Sequence, residues 1–176
     1  MRRKFIMTVF GQDRVGIVAD VTKVMFEHNC NLEDSTMTRL MDEFAIIFLF
    51  SSPEKDLEFR LNAACEKLEQ EKKLWTFFRP LDSKSPKIPQ ERKNRHLYIS
   101  CMEQCGVLYR VSNYLAQKNI NIVRLQSSRD FSPDSGQMLY NIDLELELHP
   151  DQVFQDLASE MADLEHEFHA EIKLAG

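Results

Sequence analysis

The chain has 176 residues, a formal net charge of −6 and a hydrophobic content of 43%. That is enough apolar material for a globular fold and too much for a disordered chain. Direct nucleic-acid binding needs a basic face, and the only basic stretch is Lys84 to Arg95, which reads as a solvated linker.

In chain order, Lys4 to Phe10 reads as a strand ended by Gly11. A helix is predicted from Ile17 to His28, with Ile17, Val18, Val21, Val24 and Met25 on one face. Asn29 fits its left-handed stop, because Asn tolerates positive φ better than most residues. Leu32 to Leu40 and Phe44 to Ser51 are the next strands. A second helix runs from Asp56 to Lys72 with the stripe Leu57, Leu61, Cys65 and Leu68. Leu74 to Arg79 is the fourth strand. Pro80 to Arg95 holds three prolines, many charges and no period, and is predicted to be an extended linker without regular structure.

Beyond the linker the order returns. Leu97 to Met102 is a strand, and Val107, Leu108, Val111, Tyr114 and Leu115 share a helical face. Asn119 fits the stop. Ile122 to Asp130 and Gln137 to Leu148 are strands, joined by a loop, Phe131 to Gly136, that accounts for the longer second copy. Pro150 starts a helix with the stripe Val153, Leu157, Met161 and Leu164, and Ala170 to Leu174 closes the unit.

The return is a duplication. Asp13-Arg14-Val15-Gly16-Ile17-Val18 is echoed by Glu103-Gln104-Cys105-Gly106-Val107-Leu108, and Asn29-Cys30-Asn31-Leu32 by Asn119-Ile120-Asn121-Ile122. The offset is constant: 106−16 and 119−29 both give 90. Each copy is βαββαβ, so the fold class is α+β, two ferredoxin-like units with both helices on one face of an antiparallel sheet. The expected domains are 1–79 and 96–176, with the linker 80–95 between them.

The other sheet face is left bare, and there the copies differ. In the second, Met138, Tyr140, Ile142, Leu144, Leu146 and Leu148 alternate with polar residues, so one face is wet. In the first, Phe44 to Phe50 is apolar on both faces. That face is expected to be covered by another chain, the linker or the second unit.

No catalytic or metal site stands out. Cys30, Cys65, Cys101 and Cys105 form no CxxC pair, and Cys65 and Cys101 read as core. Free thiols in a reducing compartment are expected, and no cofactor. No nucleophilic triad appears in motif context. His166 and His169 read as a solvated pair. The acidic run Asp151, Asp156, Glu160, Asp163, Glu165, Glu167 reads as a solvated face or a dock for a basic partner. Met1-Arg2-Arg3-Lys4 precedes a strand and is not a convincing signal peptide; the longest apolar run is too short to span a bilayer. A soluble, cytoplasmic protein is expected.

The turn Asp13-x-x-Gly16 has two readings. It is a strand-to-helix turn that needs glycine. It is also a small-anion site, since the amides of Gly16, Ile17 and Val18 at the helix start can accept a carboxylate while Asp13 receives an ammonium.

The motif Asp13-Arg14-x-Gly16-Ile17-Val18, a helix, then Asn29-x-Asn31-Leu32-Glu33-Asp34-Ser35 resembles the ACT domain, a regulatory module that typically binds amino acids. Two such units without a catalytic domain resemble the glycine cleavage system transcriptional repressor family. The resemblance implies a non-enzymatic regulator, a homodimer or larger, that acts through a DNA-binding protein partner. It implies ligands at the interface of paired units, near Asp13, Arg14, Gly16, Ile17, Asn29 and Asn31, with Gly106, Val107, Asn119 and Asn121 in the second copy. Val15 departs from the family's usual Pro, and Glu103 and Cys105 depart in the second turn, which makes the second unit the weaker candidate. The alternative is a ligand-free interaction module; an enzyme is a third and remoter reading.

Overall fold

Alternating apolar residues in β1 (Arg3–Gln12) bury Phe5, Met7 and Val9 on one side of the strand. In β3 (Glu43–Ser52) Phe44, Ile46, Phe48 and Phe50 do the same. The two strands pair antiparallel, Phe5 opposite Phe50, with the rings stacked 5.4 Å apart. Each such fully buried aromatic contributes about 1.5–3 kcal/mol. The computed structural model describes residues 2–81, 93–102, 105–132, 136–148, 161–162 and 164–175. The predicted helix start at Pro150, Glu103, the acidic residues Asp151, Asp156, Glu160 and Asp163, and the linker from 82 to 92 lie outside them.

Two compact units divide the chain, Met1–Lys87 and Ile88–Gly176. In the first, β1 is followed by α1 (Ile17–Glu27), β2 (Asn31–Leu40), β3, α2 (Leu57–Lys72) and β4 (Trp75–Pro80). The sheet order is β2-β3-β1-β4, all antiparallel. The second has β5 (Lys93–Met102), α3 (Val107–Gln117), β6 (Asn121–Phe131), β7 (Met138–Leu148) and β8 (Glu171–Ala175), in the order β6-β7-β5-β8. Residues 161–162 and 164–168 are helical, and Met161, Leu164 and Phe168 join the second core. The fold is the expected pair of ferredoxin-like units.

Both first helices end in the same device. The Asn29 amide donates to Phe26 O and the Cys30 amide to Met25 O, with Asn29 at φ 54. The Asn119 and Ile120 amides do likewise to Ala116 and Leu115, with Asn119 at φ 56. This is the Schellman stop, in which a left-handed residue lets two amides satisfy the last helical carbonyls. Ile120 and Leu115 then meet in the core.

One expectation changes. Pro80 and Lys93–Arg95, expected in the linker, are strand: Pro80 ends β4 opposite Phe5, and β5 carries its register with β7 out to Lys93 opposite Leu148. β2 is an edge strand, exposed along its whole length. Within the first unit by itself, Ala45, Ile47 and Leu49 face away from the helices, and Ile47 is exposed.

Candidate functional site

Gly16 has φ 92 and Gly106 φ 94. Each strand-to-helix turn therefore needs a left-handed residue at the helix start, where a side chain would strain the backbone. Neither helix start has a side-chain cap. The first intrahelical bonds are Asp20 N–H to Gly16 O and Arg110 N–H to Gly106 O, both 2.9 Å. The amides just before them, at Ile17 and Val18 and at Val107, thus have no intrahelical acceptor.

Arg14 lies over the first of these helix starts. Its Nη2 donates to Asp20 Oδ2 at 2.6 Å and its Nη1 to Val15 O at 3.3 Å. A Cβ on Gly16 would stand 3.9 Å from Nη1. Lys72 Nζ, from the end of α2, stands 3.5 Å from Asp20 Oδ1. The Arg14 hydrogen bond holds the Asp20 carboxyl below the usual carboxylate range; partial burial opposes it and the Lys72 charge assists. The Arg14 guanidinium thus stands beside helix amides that have no side-chain cap, with its charge matched by Asp20.

Asp13 is differently placed from the expectation of a carboxylate awaiting an ammonium. Its Oδ2 accepts from Arg39 Nη1 at 3.3 Å, and its amide donates to Asp42 O at 2.7 Å. The Asp13–Arg14 loop is thereby tied to the β2–β3 hairpin. Arg39 went unnoticed in the sequence. The repeat offset could have found it, since 129−39 is 90 and Arg129 stands at the same place in β6. Arg129 and Tyr140 line a cleft of about 410 Å³ beside Cys105, Gly106 and Val107.

The asparagines do not join this group. Asn29 and Asn31 lie beyond the far end of α1, whose 11 residues span about 16 Å at 1.5 Å per residue. Asn29 is the helix stop, and its Nδ2 donates to Glu54 Oε1 at 3.3 Å. Asn31 opens β2 opposite Ser51. Asn119 and Asn121 repeat this, with Asn121 Nδ2 donating to Glu147 Oε2 at 3.3 Å. Within one unit, then, the predicted residues form two groups at opposite ends of a helix.

Among the described residues no three His, Cys, Asp or Glu side chains are grouped to hold a metal ion, and no helix is long and apolar enough to cross a membrane. Cys65 and Cys101 are buried, as expected, and burial raises both thiols. Burial likewise pushes Cys30 up to about 11, with Arg60 opposing.

The sequence pattern of the ACT domain matches residues 3–79. A UPF0237 protein of Methanococcus maripaludis is 40% identical over 67 residues, which are 38% of this chain and 74% of that protein. A UPF0237 protein of Methanopyrus kandleri is 46% identical over 52 residues, 30% of this chain and 58% of that protein. The chain spans about three fifths of the length of the first such relatives. The crystal structure of an unknown protein from Galdieria sulphuraria superposes with a TM-score of 0.79 at 26% identity, over 99% of this chain and 98% of that one. A candidate glycine cleavage system transcriptional repressor superposes with a TM-score of 0.70 at 20% identity, over 99% and 96%, a likeness of fold.

Proposed function

This chain belongs to the ACT-domain family, and on that premise we propose that it is a non-enzymatic, cytoplasmic regulator that binds a free amino acid and acts through a protein partner. The observation that carries the reading is the helix start at Gly16. It combines capless amides, the Arg14 guanidinium and the Asp13 carboxylate in one exposed turn. The ligand carboxylate takes the amides of Ile17 and Val18 together with Arg14. Its ammonium shares Asp13 with Arg39. Binding then competes with two ion pairs, Arg14–Asp20 and Asp13–Arg39, so occupancy loosens the turn from α1 and from the β2–β3 hairpin.

Asn29 and Asn31 enter the site only from a paired unit, since they lie at the other end of α1. That arrangement makes the ligand a bridge between units and couples occupancy to pairing, as a regulatory module requires. The Gly106 turn, with Arg129 and Tyr140 beside its cleft, is the second site. Direct DNA contact is not part of the reading, because the charge balance is acidic. The partner is instead a DNA-binding regulator of an amino-acid pathway, by analogy of fold with the glycine cleavage repressor.

A thermal-shift screen of the proteinogenic amino acids tests the reading. A ligand at 100 times its Kd stabilises the bound fold by about 2.7 kcal/mol, which raises Tm by several degrees. A full panel without a shift at millimolar concentration leaves the alternative, a ligand-free interaction module.

A further inference from the structure

The bare face of the first sheet is surplus to that unit's own core. The helices already cover Phe5, Met7, Val9, Phe44, Ile46, Phe48 and Phe50 on the opposite side. On the bare side stand Phe10, Ile47, Trp75 and Phe77, with exposures of 47%, 44%, 52% and 64%. Phe10 and Trp75 are cross-strand neighbours whose rings stack at 5.6 Å. Ile47 and Phe77 flank Thr8 from its two sides.

The second unit shows that the fold does not require this. By register, Ser100 stands where Phe10 does, Asp143 for Ile47, Glu171 for Trp75 and Lys173 for Phe77. Around Tyr98, which takes the place of Thr8, that face is a hydrogen-bonded polar floor. Ser100 Oγ donates to Asn141 Oδ1 at 2.8 Å, Asn141 Nδ2 donates to Asp130 Oδ2 at 3.0 Å, and Lys173 pairs with Glu171 at 2.6 Å. Same topology, same register, opposite surface chemistry: the aromatic face answers to something outside its own unit.

The polar floor is a poor cover for it. Placing Asp143 and Lys173 against Phe10, Ile47 and Phe77 would strand charges in an apolar interface, at a cost of several kcal/mol each. An apolar sheet face matches another apolar sheet face. The area is sufficient. Four strands about 4.8 Å apart and four two-residue rows give roughly 500 Å² of flat sheet per copy, so a twofold pair covers about 1,000 Å², the lower bound for a specific interface. Charged groups sit at the end of the patch, where Lys4 is already paired with Glu33 at 2.7 Å.

We infer that the occupant is a second copy of this chain, the first-unit sheets stacking face to face about a twofold axis with Phe10, Ile47, Trp75 and Phe77 at its centre. This contact is separate from the ligand-bridged pairing of units proposed above, because it uses the sheet face opposite α1.

Trp75 is the sole tryptophan of the chain, so the interface carries its own probe. Sedimentation of the full-length protein gives the oligomeric state; acrylamide quenching of Trp75 over a dilution series gives the state of the face. The inference expects a dimer whose Trp75 is several-fold less quenchable than in the monomer obtained by dilution. Phe77→Glu, at an exposed position, should yield a folded monomer with quenchable Trp75. Lys173→Glu, its counterpart in the second unit, should leave the dimer intact. A dimer in which Trp75 is as quenchable as in the monomer overturns this face and spares pairing through another surface. A monomer at all concentrations overturns both. Should Phe77→Glu fail to fold, the dilution series on the parent protein still decides.

Discussion

Arg39 Nη1 lies 3.3 Å from Asp13 Oδ2, and this pair ties the first strand-to-helix turn to the β2–β3 hairpin. A carboxylate with a resident cation is not an open seat for an ammonium. Both groups are solvent-accessible, so the pair contributes about 0.2–1 kcal/mol to stability. Asp13→Asn should therefore leave Tm almost unchanged. It should also weaken binding of a free amino acid about tenfold, a loss of about 1.4 kcal/mol, while a ligand without the ammonium is unaffected. Titration calorimetry of both ligands against both proteins checks this; equal affinity for every amino acid would sink Asp13 as the ammonium partner.

Gly11 and Gly16 are both required, for different reasons. A Cβ on Gly11 would come within 2.8 Å of Lys73 O and 3.1 Å of Leu74 Cδ2, a clash with backbone. Gly16 has space but sits at φ 92. Gly11→Ala should cost about 1–3 kcal/mol through overpacking, and Gly11→Asn more. Gly16→Ala should cost about 1–2 kcal/mol through backbone strain, and Gly16→Asn less, because Asn tolerates the left-handed region. Denaturant midpoints for the four variants give the order.

Asn29 and Asn119 hold the helix stops, and the same substitutions should act in parallel. Gly at either position should be neutral or stabilising. Ala should cost about 1 kcal/mol. An Asn29→Gly protein that keeps its fold but loses ligand affinity would point to a binding role for the side chain beyond its capping one. Melting curves alongside the amino-acid screen separate the two.

Asp20 makes stability depend on acid. Its folded pKa is lowered from the ordinary 3.8, chiefly by the Arg14 hydrogen bond. The unfolded chain therefore takes up its proton first as pH falls. The contribution is full above about pH 4 and is lost as pH drops through the lowered value. Asp20→Asn should flatten the acid limb of the stability curve and leave the curve above pH 6 parallel to the parent. Urea midpoints from pH 2 to 7 measure it.

Much of this was legible from residue type alone. The repeat, the βαββαβ order and the two asparagine stops follow from backbone chemistry, which Gly and Asn report directly. The buried side of β3 was legible from Phe44, Ile46, Phe48 and Phe50. The exposure of Ile47 was not, since an apolar residue facing solvent and one facing a partner look alike in a single chain. The division of the site was also hidden. Motif residues are close in sequence, but α1 puts Gly16 and Asn29 at opposite ends. Arg39 and Arg129 were missed because the repeat was read at the turn and the helix exit and not carried along the strands, where the same offset of 90 pairs them; the tie to Asp13 then gives Arg39 a role.

The polar floor on the second sheet has a consequence for valence. A chain with one adhesive face can pair once and then stop, which closes the assembly. Had duplication kept Phe10, Ile47, Trp75 and Phe77 in both halves, each chain would carry two such faces and could link end to end without limit. Ser100, Asp143, Glu171 and Lys173 are, in that sense, the terminators of the second copy. A chain given the four apolar residues at those positions should form filaments, where the face-to-face pairing inferred above closes as a dimer.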